Sequence, residues 1–355
     1  MNQMLIGARH IGHGQPVMVI AEIGVNHDGD LGRAMQLVHE AKHAGADAVK
    51  LQLFSADRLM SSHSQFAEYQ SGRVSADSAA EMLRGFELHP LEVATVVEEI
   101  RACGMIPLAT PFSAADVDTV GSHHLAAVKI ASPDLVNSPL LQRAAALQVP
   151  MLISTGAATM DEIAQCVGWM REIHASFCLL HCVSSYPTPD DNAHLRWITE
   201  LCERFAVVVG YSDHSTNSMA GALAVACGAA VIEKHLTYDR AAAGPDHSAS
   251  ADPQQFADYV KHIRQAEQLC GHRGKRVLPI ERDVRTVSRQ SLVLVRDIHS
   301  GEAIGAADIV FQRPGTGIPA AQFAKLVGKR VSKALRAGTL LQWDMLADAA
   351  QSQPV

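Results

Sequence analysis

Short apolar runs alternate with amphipathic segments along the first three quarters of the chain. The runs are VMVIAEIGV (17–25), AVKLQLF (48–54), MIPLATPF (105–112), AAVKIAS (126–132), PMLISTG (150–156), FCLLHCVSS (177–185), VVVGYSD (207–213) and AVIEKHLTY (230–238). Their β-branched and small apolar residues predict buried strands. Between them, LGRAMQLVHEAKHAGA, PLEVATVVEEIRACG and QQFADYVKHIRQAEQLC space apolar residues three and four apart, as helices do. Gly45, Gly104 and Gly228 stand where helix C-caps are expected. Eight strand-then-helix units in this order predict an α/β fold, a (β/α)8 TIM barrel over residues 1–272. A doubly wound open sheet is the alternative. It usually carries a glycine-rich phosphate loop after its first strand, and IGVNHDGD is not G-x-G-x-x-G.

The rhythm changes near Arg273. GKRVLPIERDVRTVSRQ is polar and basic, so residues 273–288 read as a linker. Residues 289–348 carry short β runs, glycine-rich turns and one short helix around Gln322 to Val327, followed by a tail at 349–355. A mainly-β unit of about 60 residues is marginal alone and is expected to dock onto something.

Polar residues interrupt the apolar runs near their ends: Glu22, Lys50, Gln52, Thr110, Lys129, Ser132, Ser154, Ser184, Ser212, His214, Glu233 and His235. Burying ionisable groups is costly unless they are paired or metal-bound, and barrel active sites lie at the C-terminal strand ends. Period-two alternation puts Lys50 with Gln52, Ser212 with His214, and Glu233 with His235, each pair on one face. Lys234 points the other way and reads as a structural or ion-paired residue against the helix layer. A single strand-end serine is commonly a helix N-cap; serines on several strands together with two lysines make a phosphate site. His214 and His235 suit either a metal with open positions or acid–base work. Imidazole with carboxylate and water fits a Mn2+-like Lewis acid. His39, His43, His123, His124 and His262 read as solvated helix faces.

Composition narrows the class. Apolar residues make up 48% of the 355 and charged residues 19%, as in ordinary globular proteins. The net charge of −7 argues against nucleic acid or an anionic membrane as main partner. The N-terminus MNQMLIGARHIGHGQ lacks the apolar core of a signal peptide, and no run approaches the length of a membrane span. Seven scattered cysteines form no C-x-x-C pair, so a cytoplasmic location is expected. Cys178 and Cys182 share a strand face and read as packing thiols.

AEIGVNHDGD, GADAVKLQLF, VKIASPDL, LISTGAAT, LHCVSSYPTP, GYSDHS, VIEKHLTYDR and GPDHSASADP, taken in order, resemble the sialic acid synthase family. That family includes legionaminate and pseudaminate synthases and spore-coat polysaccharide relatives. SLVLVRDIHSGEAIGAADIVFQRPGTGI resembles the SAF, or antifreeze-like, domain that ends these enzymes. The resemblance implies condensation of phosphoenolpyruvate with an N-acylated amino-sugar aldehyde of the N-acetylmannosamine type. The products are a nonulosonic acid and phosphate, by C–O cleavage. By position it implies Lys50, Lys129, Ser132, Ser154, Ser184 and Ser212 for phosphoenolpyruvate. His214 and His235 would hold Mn2+, with Mg2+ or Co2+ as substitutes. Gln52, Asp134, Tyr186, Asp246 and Arg313 would serve the sugar, and Glu22, Glu233, His214 and His235 catalysis. Arg313 would reach the partner's barrel in a domain-swapped homodimer.

Some positions depart from the N-acetylneuraminate pattern. The stretch Ser55–Pro90 contains no asparagine, Asp134 stands for glutamate, and Ser184 stands for asparagine. DRLMSS and GPDHSASADP lean toward the spore-coat and other nonulosonate branches, which leaves the acceptor sugar open. Three rivals remain: a Schiff-base aldolase using Lys50 or Lys129, a 3-deoxy-octulosonate-phosphate type of synthase, and a non-catalytic sugar-binding protein of polysaccharide assembly. The SAF-like tail argues against the second and the assembled site chemistry against the third.

Overall fold

The computed structural model describes residues 3–61, 78–271 and 274–347. Part of the asparagine-free stretch after the second run, and the tail at 349–355, lie outside the described residues. The chain divides into two compact units, Met1–His272 and Arg273–Val355.

In the first unit an antiparallel hairpin, β1 (Gln3–Ile6) and β2 (Arg9–Gly12), precedes the barrel. Eight parallel strands then close on themselves: β3 (Met18–Glu22), β4 (Ala48–Leu53), β5 (Ile106–Pro111), β6 (Val128–Ile130), β7 (Met151–Ser154), β8 (Phe177–Cys182), β9 (Val208–Asp213) and β10 (Val231–His235). Each apolar run has become one strand, and β10 pairs with β3 to complete the cylinder. The expected TIM barrel is what forms. The helices that follow the strands are α1 (Leu31–His43), α2 (Pro90–Ala102), α3 (Ala114–Ser122), α4 (Ser138–Ala145), α5 (Met160–Glu172), α6 (Arg196–Phe205), α7 (Ala220–Ala226) and α8 (Pro253–Cys270).

Local chemistry sets the helix ends. Asp30 accepts from the Arg33 N–H at 2.7 Å, and Thr159 with Glu162 forms a capping box. Gly104, at φ 73°, turns the chain after α2 in a left-handed conformation that glycine adopts without strain. Alternation along the strands builds two cores. Outward residues such as Val19, Val49, Leu51, Ile130, Ile153, Leu179 and Val209 pack against the helices. Inward residues Met18, Ile20, Ala48, Leu108, Leu152, Cys178, Leu180, Val208 and Val231 fill the cylinder, and Met4, Ile6 and Ile11 of the hairpin join that cluster. This apolar plug occupies the amino-terminal half of the barrel, so inward polar groups are confined to the carboxyl-terminal mouth.

The second unit has its own core around Leu292, Leu294, Ile298, Ile304, Ile318, Leu326, Val331 and Leu341. Strands β11 (Ser291–Leu294) and β12 (Ile309–Gln312) pair antiparallel, and a helical turn spans Phe323–Leu326. The polar stretch before it, read as a linker, carries a helix at Arg282–Ser288 and exposes Ile280, Val284 and Val287. No helix among the described residues is long and apolar enough to cross a membrane.

Candidate active site

Glu22, Lys50, Lys129 and Glu233 stand on four inward-facing rows at the barrel mouth, each at most 5% exposed. Charges this deep persist only by pairing. Lys50 Nζ lies 2.6 Å from Glu22 Oε2 and 3.2 Å from Glu233 Oε1, and Lys129 Nζ lies 3.8 Å from the same Glu233 oxygen. Ser212 Oγ donates to Glu233 Oε1 at 3.1 Å. Glu22 Oε1 accepts from the Gly24 N–H at 2.6 Å and from Gln52 Nε2 at 3.4 Å. Burial pushes the Lys50 ammonium down to about 8 against the pull of Glu233. Burial raises the Glu233 carboxyl, but Lys129 and Lys50 outweigh it and hold it at about 2. Near neutral pH this is a charged lattice that an incoming anion can reorganise.

Serines complete one side. Ser132 Oγ accepts from the Gly156 N–H at 3.0 Å and donates to Cys182 Sγ at 3.6 Å. A side chain at Gly156 would collide with Ser184 Oγ, Ser132 Oγ and Cys182 Sγ, so glycine is what lets the loops after β6, β7 and β8 converge. Ser154 Oγ and Thr110 Oγ are buried without a hydrogen-bond partner among the described residues. Buried hydroxyls of this kind are normally satisfied, which marks them as groups built for a ligand.

The two imidazoles stand on neighbouring strands with ring centroids 5.5 Å apart. His214 Nδ1 lies 2.9 Å from the Val183 carbonyl, which only accepts. Nδ1 therefore carries a proton, which leaves Nε2 as the nitrogen available to a cation. His235 Nδ1 is buried without a hydrogen-bond partner among the described residues, with Asp246 Oδ2 3.7 Å away. Burial, then His214 and Lys50, hold His235 well below the usual histidine range, so it is a neutral donor. Burial lowers the His214 imidazole, but Cys182 and the Val183 carbonyl outweigh it and raise it above the ordinary histidine range. A neutral imidazole and one that would give up a proton on binding, beside a carboxylate, fit a divalent cation. The Tyr186 ring packs on His214 at 4.0 Å and on His235 at 6.0 Å.

Behind these strands lies a second charged group, turned away from the mouth. Lys234 Nζ meets Asp213 Oδ2 at 3.0 Å and donates to the Ser215 carbonyl. Tyr259 OH reaches the same Asp213 oxygen at 2.7 Å, while Tyr211 OH and the Ser215 N–H reach Oδ1 at 3.1 and 2.8 Å. Burial raises the Asp213 carboxyl, but Lys234 and Tyr259 outweigh it and hold it low. The residues beside Asp213 and Lys234 in sequence are Ser212, His214, Glu233 and His235, so this pair ties together the two strand ends richest in site groups. A cavity of about 410 Å3, lined by Ser215, Arg240, Tyr259 and His262, opens on the helix side of the pair and not on the mouth.

The sequence-derived residues are thus largely brought together, Lys234 on the opposite face as its alternation required. Within the barrel unit one is not joined to the cluster. Asp134 accepts from Asn137 Nδ2 at 3.0 Å at the start of α4, and burial raises its carboxyl. Arg313 belongs to the second unit, where it is exposed just after β12. Two residues gained importance. Thr110, noted in the sequence only as a strand-end polar group, is aimed inward. Cys182, read as a packing thiol, lies 3.7 Å from His214 Nδ1 at the mouth, whereas Cys178 does pack inside the plug. Strand alternation carried both signals, since each lies two residues beyond an inward apolar residue.

A closed parallel barrel with paired ammonium groups, carboxylates and imidazoles at its mouth is an enzyme of the TIM-barrel class. The sequence profile of the NeuB family matches residues 37–275, and that of the SAF domain matches residues 289–347. The chain belongs to the NeuB family. Similar proteins include the N,N'-diacetyllegionaminic acid synthase of Legionella pneumophila, 37% identical over 97% of this chain and 98% of that one. The crystal structure of a putative spore coat polysaccharide biosynthesis protein E from Chromobacterium violaceum superposes with a TM-score of 0.81 at 27% identity, covering 93% and 99%. The N-acetylneuraminic acid synthetase of Leptospira borgpetersenii gives a TM-score of 0.74 at 31% identity, covering 80% and 95%. Family membership makes the chain a transferase of the sialic acid synthase-like type, with nonulosonic acid synthesis as its general activity.

Proposed function

We propose that this enzyme condenses phosphoenolpyruvate with the aldehyde of an N-acylated amino sugar of the N-acetylmannosamine type, giving a nonulosonic acid and inorganic phosphate. The observation that carries this reading is the meeting of Lys50, Lys129 and the strand-end serines with Glu22, Glu233 and the histidine pair at one barrel mouth. Lys50, Lys129, Ser132, Ser154, Ser184 and Ser212 hold the phosphate and carboxylate of phosphoenolpyruvate, with Thr110 as a further donor. His214 and His235 would hold a divalent cation, Mn2+ by donor type, which would supply Lewis-acid polarisation of the aldehyde. Gln52, Tyr186 and Asp246 face the sugar. In a domain-swapped homodimer, Arg313 of the partner subunit completes that side.

C3 of phosphoenolpyruvate forms a bond to the aldehyde carbon, and the aldehyde oxygen takes up a proton. The electron-poor C2 left behind accepts water, whose proton passes to Glu22 or Glu233. The bond between C2 and the bridging oxygen then breaks, phosphate leaves with that oxygen and takes the remaining C2 hydroxyl proton, and C2 becomes the ketone. Glu233 suits this sequence because its low basicity is imposed by two ammonium groups. Once the substrate's anionic groups engage Lys50 and Lys129, the carboxylate becomes a better base.

The test is phosphate release from phosphoenolpyruvate with Mn2+ and a panel of mono- and di-N-acylated amino-sugar aldehydes. Sugar-dependent release supports the reading, and silence across the panel removes it. Trapping with borohydride separates the aldolase rival, which requires a covalent lysine adduct that this mechanism lacks.

A further inference from the structure

His39 on α1, Glu99 on α2 and Cys103 at the C-cap of α2 meet on the outer wall of the barrel. His39 Nε2 lies 3.3 Å from Glu99 Oε1, Cys103 Sγ lies 3.8 Å from the same oxygen, and Cys103 Sγ lies 3.9 Å from His39 Nδ1. One donor atom from each residue falls within 4.8 Å of the other two, the one such group of three among the described residues. Bond lengths to tetrahedral zinc give donor–donor edges of roughly 3.4–3.6 Å. The Glu99–Cys103 edge is already close to this, and because His39 offers Nε2 to Glu99 but Nδ1 to Cys103, its ring must turn so that one nitrogen serves both. We propose that His39, Glu99 and Cys103 form a second cation site, for a borderline-soft divalent ion of the Zn2+ class, that staples α1 to α2.

The donor set is selective. Imidazole and carboxylate alone accept many divalent ions, whereas a thiolate shifts the preference toward zinc and away from magnesium or calcium. The His39 side chain is 52% exposed, so its ring is free to turn one nitrogen toward both partners and to leave a fourth position for water. Without an ion, burial and the Glu99 carboxylate both raise the Cys103 thiol, so a cation relieves an unfavourable neighbourhood. On binding, the thiol proton passes to solvent and one sulfur–metal bond forms, with no change of oxidation state. Both helices run back toward the amino-terminal end of the barrel, where His39 and Cys103 stand late in their elements. This is the end opposite the mouth, where barrels spend residues on stability rather than chemistry. The role is therefore structural and separate from the cation held by His214 and His235.

The experiment uses the full chain stripped with chelator and titrated with Co2+, whose bond to a thiolate gives a charge-transfer band in the near ultraviolet. The band is expected in the unsubstituted protein and in Cys182→Ser, and lost in Cys103→Ser. In parallel, Zn2+ should slow alkylation of Cys103 by iodoacetamide by about tenfold or more, while exposed Cys202 and Cys270 react as before. His39→Ala should abolish that protection without altering the Cys202 rate. Absence of the band, its survival in Cys103→Ser, or equal alkylation of Cys103 with and without Zn2+ would each overturn the site.

Discussion

Replacing Asp213 by alanine tests whether the ion pair behind the mouth braces the site. The substitution leaves the Lys234 ammonium buried with the Ser215 carbonyl, and it strands the hydroxyls of Tyr211 and Tyr259 and the Ser215 N–H. Both members of the pair are under 5% exposed, so solvent cannot rescue them. Removing one partner of such a pair costs about 3–5 kcal/mol. Lys234→Met should cost less, about 1–3 kcal/mol, because the carboxylate keeps three hydrogen-bond donors. Asp213→Ala with Lys234→Met removes both charges together, and its cost should fall well short of the sum of the two single costs. Urea unfolding of the four proteins, followed by circular dichroism, gives the coupling energy. Asp213 is held below its unfolded pKa, so its contribution is complete above the ordinary aspartate range. It is lost as pH falls through the folded value. Costs that add in the double variant, with no coupling at neutral pH, would refute the brace.

Three further outcomes follow from the mouth. With the Lys50 ammonium at about 8, its charged form is lost as pH rises, so kcat/KM in the proposed reaction should fall through about pH 8, with a profile that stays flat there as the contrary result. Gly156→Ala would push Ser132, Ser184 and Cys182 apart, raising KM for phosphoenolpyruvate by about tenfold or more, by steady-state kinetics, while thermal unfolding moves little. His235→Ala should lose Mn2+ binding at the mouth, measured by calorimetry on chelator-stripped protein; unchanged affinity would remove the histidine pair from the metal's ligands.

The barrel was legible because period-two alternation in eight runs is a local property of the chain, as Met18, Ile20 and Glu22 illustrate on β3. The same alternation separated Glu233 and His235 from Lys234. What it does not reveal is which groups cross between strands. That Lys50 pairs with both Glu22 and Glu233 depends on barrel closure through β10 and β3, a contact between distant parts of the chain. Cys182 illustrates the same limit. A cysteine on an apolar strand face looks like packing until the loop after β9 folds His214 over it. His39 is solvated, as its position on the helix required; what the helix pattern does not reveal is that Glu99 and Cys103 of another helix stand beside it.

Phosphoenolpyruvate labelled with 18O at the bridging C2–O position offers the most direct test of the proposed chemistry at the mouth. Incubated with enzyme, Mn2+ and a turned-over amino-sugar aldehyde, it should yield phosphate that carries the label and a nonulosonic acid that does not, in equal amounts. Label retained in the acid, or acid formed without equivalent phosphate, would contradict the account.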